Sequence, residues 1–78
     1  MSTDVAWKKV KNIIMNASEP YRKQALKILE EYSKAKSMVE KRVYKARLLT
    51  VYCESLKNLP RKDRKKLCKE FRNLLLQI

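Results

Sequence analysis

Apolar residues recur at helical spacing along almost the whole chain. In the first stretch Ala6, Val10, Ile13 and Ala17 stand three or four positions apart, with Trp7 and Ile14 beside them. This is one apolar stripe, and it predicts a helix over residues 3–16. Ser2 or Thr3 is placed to cap that helix, and Asp4 suits the positive end of its dipole. The only two prolines, Pro20 and Pro60, stand where the next helices begin, because the first turn of a helix has no use for the missing N–H.

Between the prolines the apolar positions keep a 4-3 rhythm: Tyr21, Ala25, Ile28, Tyr32, Ala35, Val39, then Arg42, then Ala46, Leu49, Cys53 and Leu56. Arg42 is the only polar residue on this seam, and Val43 beside it can carry the stripe. A rhythm held this long predicts one continuous helix over residues 19–58. At about 1.5 Å per residue it would be about 60 Å long. A competing signal lies within it. Ser37-Met38-Val39-Glu40 fits the capping box that opens a helix, so a break near Ser37 would give four helices in place of three. Against a break, no Gly or Asn is at hand to take the left-handed conformation that often ends a helix. In the last segment Leu67, Phe71, Leu74, Leu75 and Ile78 share one face of a helix over residues 60–77.

The pattern therefore predicts an all-α fold. We expect a small helical bundle of three helices with a long middle one, forming a single domain over residues 1–78. A chain this short buries only about 60% of the surface its unfolded form exposes, so its core is marginal. A dimer, a partner protein or a disulfide would reinforce it.

Charge adds what the pattern lacks. Twenty basic residues against eight acidic ones give a net charge of +12. That balance points to a polyanionic partner: nucleic acid, an anionic membrane or an acidic protein surface. The charge is densest in residues 60–78, which carry +5, as much as the twice-longer residues 19–59. There Arg61, Lys62, Lys65, Lys66, Lys69 and Arg72 oppose the apolar face. A face so unbalanced suits the tracking of phosphates. Only Arg72 and Asn73 there resemble residues that read base edges, so binding to DNA is expected to be to the backbone and not sequence-specific. On the middle segment Tyr44, with Lys41, Lys45 and Arg47 around it, is a candidate for a partner contact or for base stacking.

Other chemistry is thinly represented. Two cysteines without a histidine do not make the usual four-ligand zinc site, so no metal or cofactor is expected. Cys53 lies seven residues before Pro60 and Cys68 eight after it. In an antiparallel helix pair turning at Pro60 they would stand at the same height. Two buried thiols packing as small hydrophobes is the preferred reading, and a disulfide is the alternative. With no histidine and no glycine, neither a Ser–His or Cys–His pair nor a Gly-rich phosphate loop exists, and an enzyme is not expected. No apolar run has the length of a membrane span, and MSTDVAWKKV lacks the apolar run of a signal peptide. A cytoplasmic protein, or one carried in a virion, is expected. Abundant Lys and Glu with only two Gln lean toward the composition of hyperthermophile proteins.

The stretches EPYRKQALKILEEY and LPRKDRKKLCKEF, in a small, glycine-free, lysine-rich helical chain, resemble the accessory subunits of the crenarchaeal B-family replicative DNA polymerase holoenzyme. Small proteins of archaeal viruses or plasmids fit the same type. The resemblance to the polymerase subunits implies a non-catalytic subunit. It would bind the polymerase through an apolar or tyrosine-bearing patch and hold DNA near it with a basic face. Two alternatives stay open: a homodimeric nucleic-acid-binding regulator with the long heptad as its seam, and a purely protein–protein adaptor.

Overall fold

The computed structural model describes residues 3–78 and is all-helical over them. Four helices follow one another: α1 (Thr3–Met15), α2 (Tyr21–Lys34), α3 (Met38–Ser55) and α4 (Arg61–Leu76). The expected long middle helix is two helices, so the count of three is corrected to four. The cap expected at Ser2 or Thr3 falls outside the described residues and side chains.

The break has a local cause. Ala35 leaves the helical region at φ −66°, ψ 135°, and its N–H closes the last turn of α2 on the Tyr32 carbonyl at 3.1 Å. Ser37, also extended, caps α3, and its Oγ accepts the Glu40 N–H at 3.1 Å. The Ser37 side-chain cap thus outweighs the in-phase heptad. A single rod would leave most of its seam facing water, whereas a hairpin packs α2 on α3, the most extensive helix contact in the fold. Both prolines stand one residue ahead of their helices. Their carbonyls accept the first backbone bonds, Pro20 from Gln24 at 3.2 Å and Pro60 from Arg64 at 3.0 Å.

The helices form a ring in which α1 packs on α2, α2 on α3, α3 on α4, and α4 back on α1. Each gives the centre two residues one turn apart: Val10 and Ile14, Ala25 and Leu29, Leu48 and Tyr52, Phe71 and Leu75. Phe71 is wholly enclosed, and the Tyr52 ring lies 4.4 Å from it, centroid to centroid. Burial raises the Tyr52 phenol above its ordinary pKa, and the charge of Glu70 adds to the effect.

The predicted seam survives only in part. Ala25 is buried and Tyr21, Ile28 and Tyr32 are half-buried, but Val39 is 72% exposed and Ala46 is exposed. In α3 the buried core residues are Leu48 and Tyr52, each one residue before the seam positions Leu49 and Cys53, while the seam residues Leu49 and Leu56 pack against the core half-buried.

The cysteines are joined across the α3–α4 hairpin, with Cα atoms 5.6 Å apart, and both are half-buried. The preferred reading of two free thiols in the core therefore does not describe them. The bridge spans a sequence separation of 15 residues. Closing a loop of that size in the unfolded chain is worth about 3 kcal/mol. We expect reductant to lower stability by about 2–3 kcal/mol in urea titrations followed by circular dichroism. A Cys53→Ala, Cys68→Ala double variant should start from the lower value and not respond to reductant.

Candidate nucleic-acid interface

The orientation of α4 follows from its own apolar residues. Phe71 and Leu75 are buried, and Leu67, Leu74 and Ile78 are half-buried along the same side. This turns Arg61, Lys62, Lys65, Lys66, Lys69 and Arg72 to solvent, and all six are exposed. From Arg61 to Arg72 the helix rises about 16 Å. The six cations spread over that length are enough to engage about five phosphates.

The charge on this face is uncompensated. Among the described residues only two ion pairs form, Arg22 with Glu19 at 2.6 Å and Lys34 with Glu30 at 3.3 Å, both at α2. Asp63 and Glu70 share the helix with the six bases and pair with none of them. Between α3 and α4 runs a groove of about 660 Å³, with Leu49, Cys53 and Cys68 as its apolar floor and Lys65, Lys66, Lys69 and Arg72 along its cationic edge.

The second predicted group is divided among three tasks. Lys45 Nζ donates to the Ile78 carbonyl oxygen at 2.6 Å, so it ties α3 to the end of α4. Burial lowers its pKa, and the nearby charges of Lys41 and Arg42 lower it further. Lys41 and Lys45 each approach the Tyr32 ring, 6.0 Å from its centroid. Tyr44 is half-buried beneath the Arg47 guanidinium, which lies 5.9 Å from its ring centroid.

One grouping was not visible along the chain. Trp7 of α1 stacks on Tyr32 of α2 with ring centroids 5.5 Å apart and planes at 30°. Lys11 lies 5.3 Å over the indole, so three lysines surround a two-ring platform. Burial raises the Tyr32 phenol above its ordinary pKa. The aromatics are 25 positions apart, and no periodicity pairs them.

Among the described residues no group of three or more Cys, Asp or Glu side chains is gathered as a metal site would require. No helix over these residues is long and apolar enough to cross a membrane. Compared with models of known protein families, with curated proteins and with solved structures, the chain matches none.

Proposed function

We propose that this protein is a non-enzymatic accessory module that holds nucleic acid by its phosphate backbone and joins a protein partner. The observation that carries the reading is the solvent side of α4, six exposed cations without a carboxylate in ion-pair contact. An ordinary solvated helix face interleaves its charges. This one leaves like charges one turn apart to repel each other, a cost that a row of phosphates removes. Backbone contact needs no donor set aimed at base edges, so the absence of an Asn, Gln or Arg cluster fits binding without sequence preference. For the protein partner, the resemblance noted above names a replicative DNA polymerase.

The test is a fluorescence-anisotropy titration of labelled double- and single-stranded DNA across a salt series. With about five phosphates engaged, log K should fall against log salt with a slope near −4.5 on duplex and near −3.5 on single strands. Unrelated sequences of equal length should bind alike. A failure of both DNAs to bind at low salt would end this reading.

A further inference from the structure

Helix α3 is apolar on two opposite sides. One side carries Leu48 and Tyr52 into the core. On the other, Val39, Val43, Ala46 and Thr50 follow at i, i+4, i+7 and i+11, all exposed, with Val43 at 45% and Val39 at 72%. Single apolar residues at a surface are ordinary, but Val39, Val43 and Ala46 hold an apolar stripe over two turns, which Thr50 extends with its hydroxyl turned back to the Ala46 carbonyl. The stripe is flanked by open grooves. One of about 450 Å³ is lined by Ile28, Val43, Ala46, Arg47, Thr50 and Val51, and the next, of about 490 Å³, by Leu49, Thr50, Cys53, Glu54, Lys57 and Arg64. Thr50 lines both, so the two grooves meet at the stripe from its two sides.

We propose that the outer face of α3 docks an acidic amphipathic helix of a partner protein. Charge selects the occupant. Arg47, Lys57 and Arg64 line the two grooves against one acid there, Glu54, and Glu40 stands near the start of the stripe. A second copy of this chain would bring the same cations to the same border, so like charge opposes self-association. A phosphate backbone has no apolar face to cover Val39, Val43 and Ala46. A helix with leucines at i, i+4, i+7 and i+11 and glutamates beside them satisfies both the stripe and its border. Helix α3, Met38–Ser55, is 18 residues and about 27 Å long, the length of an 18-residue partner helix.

This face gives the protein partner a place of its own: the stripe contains none of the six α4 cations, and the two surfaces meet only at Leu49 and Cys53, so substitutions at Val43 or at the cations test them separately. The probe is a fluorescein-labelled 18-residue synthetic peptide of that Leu/Glu design, titrated against the full chain. Two controls are a scrambled peptide of equal composition and a peptide with Lys in place of Glu. Both controls should bind about tenfold or more weakly, and Val43→Asp and Ala46→Asp should each weaken the designed peptide about tenfold. Both substituted positions are exposed, and unchanged circular dichroism would show that the fold is kept. Val43→Asp should leave DNA affinity unchanged. Equal binding of the scrambled or the lysine peptide would overturn the proposal, as would an unaltered affinity in both variants. So would loss of DNA binding in Val43→Asp, or sedimentation as a dimer that Val43→Asp splits. Those last two results would give the face to nucleic acid or to a second copy.

Discussion

Replacing Phe71 with alanine is expected to remove about 3–5 kcal/mol of stability. Phe71 is the largest side chain with no exposed surface, and it stands among core residues from all four helices. Its loss removes apolar burial, leaves a cavity and strips the Tyr52 ring of its neighbour at 4.4 Å. The ring arrangement limits repair, since α4 is the element that closes α1 and α3 together. A domain of this length has a total of about 4–12 kcal/mol to lose, at roughly 0.05–0.15 kcal/mol per residue. Phe71→Ala should therefore leave the protein partly unfolded at room temperature or bring its Tm down by about 15 °C or more. Thermal melts and urea titrations would measure it. Leu76 provides the contrast: it lies on the same helix, is 74% exposed, and its alanine variant should stay within about 0.5 kcal/mol. Equal effects at the two positions would contradict this packing of α4.

The same residues show which features could be read from one dimension. Helices α1 and α4 were legible to within a residue or two because each carries a single apolar stripe and a clear start. The middle of the chain misled because a heptad reports which positions are apolar, not which partner covers them. Tyr21, Ala25, Ile28 and Tyr32 do face inward, but Val39, Val43 and Ala46 continue the rhythm on a surface left exposed by the helices of the described residues. The local signal at Ser37 and Glu40 was the better guide, since a cap satisfies a backbone N–H whatever the tertiary fold. The basic side of α4 was legible for the same reason as its apolar side. The apolar face, once turned inward, leaves the bases nowhere else to point. Neither the Trp7–Tyr32 stack nor the bond from Lys45 to Ile78 could be read along the chain. Each joins helices whose mutual angle depends on a loop.

Reversing the charge at Lys65, Lys66 and Lys69 together is expected to lower DNA affinity by more than two orders of magnitude while leaving the fold intact. At about 0.1 M salt each phosphate contact supplies roughly a factor of eight through the counterion it releases, so three lost contacts amount to roughly 500-fold. Three new carboxylates add repulsion to that loss. The slope of log K against log salt should shrink by about 2.7 on duplex DNA. Stability should hardly change, because all three lysines are exposed and none is in an ion pair that the substitution would break. Net charge alone must be set apart from position. A control with Lys23, Lys27 and Lys36 changed to Glu carries the same total charge and alters exposed residues on and just beyond α2. If α4 is the phosphate track, the control should lose less than about tenfold, and its salt slope should stay near that of the parent. Equal losses in the two triple variants would mean that DNA senses the overall field of the protein and not a surface built on α4. An unimpaired Lys65, Lys66 and Lys69 variant would remove α4 from the interface altogether.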